Sequence, residues 1–188
     1  MEGIVYHGSP DGNIEVLKPH KSTHQKDCIY ATEKKVVSFL FMGKGNGDLD
    51  KRISHVDGKI ELVERRPGIL DQIYNKEGYL YELDASTFDH YDYLWSQEVI
   101  SFASEIHPLN VTYYPCILDA IKEEEKNGNI IIYRYPNRPD NMPLDNSDLI
   151  EKYVKFEKQG LKGSIDRLLR IYPEFAEYIN EEEVVKSR

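Results

Sequence analysis

Three short segments carry the groups best suited to chemistry: Val5-Tyr6-His7-Gly8-Ser9, Cys28-Ile29-Tyr30-Ala31-Thr32 and Gln97-Glu98-Val99-Ile100-Ser101. Each sets one polar or aromatic residue at the end of an apolar run or inside alternating apolar residues. His7, Tyr30 and Glu98 are therefore expected to project from neighbouring strands of one sheet. An imidazole can hold a hydroxyl, a phenol ring can stack on a flat heterocycle, and a carboxylate can stabilise developing positive charge. Singly, each has a plainer role: a satisfied core histidine, a tyrosine packed on a pleated surface, a solvated edge glutamate.

The elements that must position these residues are legible in outline. Residues 4–6 read as a strand, and Ser9-Pro10-Asp11-Gly12-Asn13 after them is turn-forming. Residues 28–31 read as a second strand, and Thr32 is placed to cap a helix over 33–42. The loop 43–50 is glycine-bearing and reads as mobile. Asp57-Gly58 between two alternating runs predicts a hairpin with a two-residue turn. A short helix at 69–74, strands at 78–83, 98–102 and 109–114, an aromatic loop over 84–95, a helix at 117–126 and a strand at 129–135 follow. Apolar residues at three- and four-residue spacing predict two terminal helices, 148–158 and 164–178. Strands early and helices late argue for an α+β class. The expected organisation is one domain over 1–146 with a helical extension, 147–188, packed on it.

Composition narrows the function classes. The chain has 188 residues, 40% hydrophobic and 30% charged, an ordinary globular balance with a core of useful size. Its start lacks a basic region followed by an apolar one, and no run of about 18 apolar residues occurs, so a cytoplasmic protein without a membrane span is expected. Two cysteines, Cys28 and Cys116, sit among strand-like residues and read as buried free thiols. The net charge of −9 argues against nucleic acid as a partner, although Lys34-Lys35, Lys51-Arg52 and Arg65-Arg66 can form local positive patches.

In this order and these settings the three segments resemble the His-Tyr-Glu signature of the ADP-ribosyltransferase fold, the group that includes diphtheria-toxin-like and poly(ADP-ribose) polymerase-like enzymes. The resemblance covers roughly the first 120 residues, and its motifs are short. It implies a split mixed or antiparallel β-sheet core with flanking helices, NAD as substrate, no metal, and transfer of ADP-ribose to an acceptor such as a protein. It further implies that Glu98 is the catalytic carboxylate and that His7 holds a ribose hydroxyl. The Gly8 backbone would pair with the nicotinamide amide, Ser9 would touch a ribose or phosphate, and Tyr30 would stack on nicotinamide. Phe41 stands where some relatives carry a second stacking aromatic. Many arginine-modifying toxins carry a further glutamate two positions before the catalytic one; Ser96 stands there, which argues against an arginine-directed acceptor.

A second reading is a non-catalytic module on the same fold that holds NAD, an ADP-ribose-like ligand or a protein. A phosphate-removing, RNA-directed role ranks last on charge. Gly43-Lys44-Gly45-Asn46-Gly47 lacks the Gly-Lys-Ser/Thr ending of a phosphate loop, and His20 with His24 lacks a third metal ligand.

Overall fold

Antiparallel pairing with residues 79–84 fixes the first strand, Ile4–Ser9, in which Val5 is fully buried while Tyr6 and His7 are half-buried. A computed structural model describes residues 1–21 and 26–179; His24 and the acidic run at 181–183 lie outside the described residues. In chain order the strands are β1 (Ile4–Ser9), β2 (His20–Lys21), β3 (Asp27–Ala31), β4 (Lys51–Val56), β5 (Lys59–Glu64), β6 (Gly78–Asp84), β7 (Phe88–Asp89), β8 (Val99–Ser101), β9 (Asn110–Tyr114) and β10 (Ile130–Tyr133). The helices are α1 (Lys35–Phe41), α2 (Ile69–Tyr74), α3 (Ile117–Lys126), α4 (Asp148–Lys158) and α5 (Ser164–Ile171), with 3-10 turns at Gly47–Leu49, Ala85–Thr87 and Pro173–Tyr178. The protein is α+β.

Among the described residues the strands form three sheets, in the orders β1-β6-β9, β10-β5-β4 and β2-β3-β8-β7. By its contacts the chain divides into two compact units. The first takes Met1–Gly45, His55–Ile60 and Leu70–Ile131; the second takes Asn46–Ser54, Glu61–Ile69 and the chain from Ile132. Asp57 (φ 49°) and Gly58 (φ 80°) both adopt the left-handed conformation that a two-residue hairpin turn requires, and they join β4 to β5 as the Asp-Gly pair predicts.

In the first unit two sheets share one apolar core. Val5, Tyr81 and Leu83 come from β1-β6-β9; Ile29, Ala31, Phe88 and Val99 come from β2-β3-β8-β7. The opposite face of β1-β6-β9 carries α1 and α3. Phe39 of α1 meets the edge of Tyr114 at 4.9 Å, and a Cβ at Gly78 would lie 2.6 Å from Met42 Sδ and 2.8 Å from Ile117 Cδ1. Helix α1 starts two residues later than expected. Lys34 is extended (φ −103°, ψ 116°), and the Thr32 hydroxyl accepts the Lys34 amide at 3.2 Å instead of capping the first turn.

The second unit is organised around Leu49. This side chain is fully buried with Leu149 and Tyr153 of α4, Ile165 and Leu168 of α5, and Tyr172 and Phe175. The Tyr172 hydroxyl donates to the Leu49 carbonyl at 2.7 Å. Leu49, at the end of the glycine-bearing 43–50 loop expected to be mobile, is therefore anchored. Buried Arg65 forms a two-pronged pair with Asp148, at 2.9 and 2.7 Å, and also donates to Asn146. Helix α5 ends at Ile171 because Pro173 cannot continue it; a 3-10 turn carries the chain to Tyr178.

Candidate functional site

The site is built where β1 and β3 part. Tyr6 and Thr32 exchange both backbone hydrogen bonds, at 2.8 and 3.0 Å. Beyond that pair β1 continues along β6, with His7 opposite Tyr81 and Gly8 opposite Leu80. Strand β3 continues along β8, with Tyr30 opposite Ile100 and Ala31 opposite Val99. The ladder between β1 and β3 stops, and a side chain takes its place: His7 Nδ1 lies 2.8 Å from the Tyr30 carbonyl oxygen.

That bond fixes the imidazole. A carbonyl can only accept, so Nδ1 carries the proton and Nε2 is left with its lone pair, ready to accept from a hydroxyl. Burial holds the His7 pKa below the ordinary imidazole value; the Tyr30 bond opposes the shift and the nearby His20 adds to it. Neutral His7 is thus the form present at neutral pH. The ring lies on the core side of β1, with its centroid 6.4 Å from that of Tyr81.

Gly8 supplies the second feature. Along a strand the backbone groups of alternate residues point to the same edge, so the Gly8 N–H and C=O face the same way as those of Tyr6, into the gap. Outside the strand ladder, no partner takes them among the described residues. The Cβ direction is closed: a methyl there would lie 2.3 Å from the Ser38 carbonyl oxygen of α1 and 2.8 Å from Met42 Cε. Only glycine lets α1 lie this close while the main chain stays at the gap.

Tyr30 and His7 meet through the Tyr30 main chain. Ile29 and Ala31 belong to the shared core, so the Tyr30 ring leaves the opposite face of β3. There it is half-buried, with its centroid 6.0 Å from the ring of His20. Ser9 is buried, and its hydroxyl accepts the Asp11 amide at 3.1 Å, closing the turn after β1. Phe41, at the end of α1, is 48% exposed and sets its ring edge-on to Trp95 at 6.2 Å.

Glu98 lies just before β8 rather than in it. It is half-buried, and its Oε2 accepts the Trp95 amide at 3.3 Å while its own amide donates to the Trp95 carbonyl at 2.8 Å. Trp95 therefore touches both Glu98 and Phe41. Ser101, two residues into β8, is fully buried and donates to Thr87 at 2.9 Å. Gln97 is buried and bonded to His55 Nδ1 at 3.0 Å, and Lys34 Nζ lies 3.5 Å from the other nitrogen of that ring. His20 and His55 were not singled out from sequence for these positions, and no local pattern marks them. Their neighbours are brought close only by strand pairing and the hairpin.

Among the described residues no group of three or more His, Cys, Asp or Glu could hold a metal ion, and no helix is long and apolar enough to cross a membrane. Cys28 is buried and Cys116 half-buried, both as free thiols. Comparison of the chain with protein-family models, with curated proteins and with solved structures finds no match.

Proposed function

We propose that the first unit is an ADP-ribosyltransferase-like, split-sheet domain that binds NAD, cleaves its nicotinamide–ribose bond and transfers ADP-ribose to an acceptor. The observation that carries this reading is the Gly8 main chain, turned into the gap between β1 and β3 with donor and acceptor side by side. A carboxamide is complementary to that pair: its N–H donates to the carbonyl and its oxygen accepts from the amide. His7 Nε2, an acceptor on the adjacent residue, suits a ribose hydroxyl; the Tyr30 ring stands on β3, which borders the gap, and the Phe41 ring stands at the end of α1 against Trp95.

In this mechanism the bond between the anomeric carbon and the pyridinium nitrogen breaks, and its electron pair leaves with nicotinamide. The sugar becomes oxocarbenium-like, and Glu98 stabilises that charge and orients the ribose hydroxyls. The acceptor's nucleophilic atom then bonds to the anomeric carbon and releases its proton to solvent. With water as acceptor the outcome is hydrolysis. The reading is tested by incubating the protein with NAD and measuring free nicotinamide together with the fate of the ADP-ribose. Absence of both NAD binding and nicotinamide release contradicts it.

The second reading is a binding module on the same fold. It is favoured by the Glu98 carboxylate, which is engaged by the Trp95 amide within its own turn. Calorimetric NAD binding without nicotinamide release distinguishes it from the first.

A further inference from the structure

The chain carries 33 acidic against 24 basic side chains, yet one cavity in the first unit reverses that balance. It measures about 470 Å³ and is bounded by Lys34 and Lys35 before and at the start of α1, Gly58 and Lys59 at the hairpin tip, and Glu124, Gly128 and Asn129 at the end of α3. That volume lies within the roughly 300–1,000 Å³ of small-molecule sites. Three ammonium groups meet one carboxylate there: Glu124 keeps its charge, accepts the Asn129 side-chain amide at 2.6 Å and acts on Lys35, so the positive groups outnumber it. Lys35 leans over the Tyr114 ring, 5.4 Å from its centroid. Among the described residues neither Lys34 nor Lys59 has a carboxylate within ion-pair distance, and the neighbour of Lys34 is the His55 imidazole at 3.5 Å. Lys34 and Lys59, at the rim of one concavity and without an ion-pair partner among the described residues, raise the local concentration of anions, and an ammonium group is a point-charge donor suited to phosphoryl oxygens.

We propose that this cavity binds a phosphate-bearing ligand, whose oxygens are taken by Lys34, Lys35 and Lys59. Neither His7 nor Gly8 lines this cavity, and phosphate binding there does not rest on the NAD reading. Two sources share the chemistry: the pyrophosphate of a dinucleotide, and the phosphate of a second ligand such as an acceptor.

The test is calorimetric titration of the full chain with inorganic pyrophosphate at low ionic strength. Saturable binding is expected, weakened about tenfold by Lys34→Gln, about tenfold by Lys59→Ala and about a hundredfold by both. Lys34→Arg and Lys59→Arg should retain it, and added salt should weaken it by screening. The same titration with NAD present assigns the source: displacement points to the dinucleotide and undiminished binding to a second ligand. Melting curves of the variants matching that of the wild type exclude unfolding as the cause of any loss. Absence of saturable binding to the wild type, or equal affinity in the double variant, overturns the proposal whether or not NAD binds.

Discussion

His7 donates from Nδ1 to the Tyr30 carbonyl across 2.8 Å, and this bond spans the place where the β1–β3 ladder ends. It satisfies a backbone acceptor that strand pairing leaves over, and by fixing the tautomer it leaves Nε2 with its lone pair, the atom that accepts a ribose hydroxyl in the proposed function. Replacing His7 by Ala should cost about 1–3 kcal/mol of stability, because the carbonyl loses its donor, and should weaken NAD binding about tenfold. Chemical denaturation and calorimetry on one variant measure both; unchanged values in both would refute the role.

The depressed His7 pKa carries a pH signature. The folded state resists protonating this ring while the unfolded chain protonates it near pH ~6.5. In that window the unfolded state binds more protons, so stability rises with pH. The contribution is fully present above pH ~6.5 and is lost as pH falls through the lower, folded-state value. His7→Gln should flatten this part of the stability profile between pH 7 and 5. A profile identical to that of the wild type would show that another group sets the slope.

Gly8→Ala tests how closely α1 approaches β1. The new methyl would meet a backbone oxygen at 2.3 Å and the Met42 side chain at 2.8–2.9 Å. The methionine can yield but the Ser38 carbonyl cannot, so α1 must move. A loss of about 1–3 kcal/mol is expected, in the range of overpacked cores. A melting temperature within a degree of the wild type would contradict this packing.

Leu49→Ala tests the second unit in the same way. Leu49 is fully enclosed by α4, α5 and Tyr172, so truncation should cost about 2–5 kcal/mol. Deleting the chain from Asp148 removes the residues that cover Leu49 and should lower solubility or the melting temperature. A truncated protein that stays monomeric and melts like the full chain would show that these helices contribute nothing to the remainder.

Local patterns made the hairpin at Asp57-Gly58 and helix α3 readable from sequence, because turn dihedrals and helical periodicity are properties of neighbouring residues. The ends of α1 and α5 were less legible. Thr32 caps nothing because Lys34 stays extended, and apolar spacing continues through Pro173 although the helix cannot. The burial of Leu49 was hidden inside a polar, glycine-rich stretch, since its partners lie some hundred residues later. Sequence offers His7, Gly8 and Tyr30 as candidates but gives no sign of the gap between their strands. It depends on which neighbour each strand chooses, and that choice is made by contacts far apart in the chain. Likewise the link from Lys34 through His55 to Gln97 joins three elements and leaves no local mark.

The most direct measurement is nicotinamide release from NAD by the wild-type protein and by Glu98→Gln, with melting curves of both. Glu98→Gln keeps the shape of the side chain and its capacity to accept the Trp95 amide, while removing the charge to which the proposed mechanism assigns stabilisation of the oxocarbenium-like sugar. Release by the wild type, a loss of at least about a hundredfold in the variant and matching melting temperatures are expected. Equal release by the two proteins would contradict the assignment of Glu98, and NAD binding with no release by either would leave the binding module as the function.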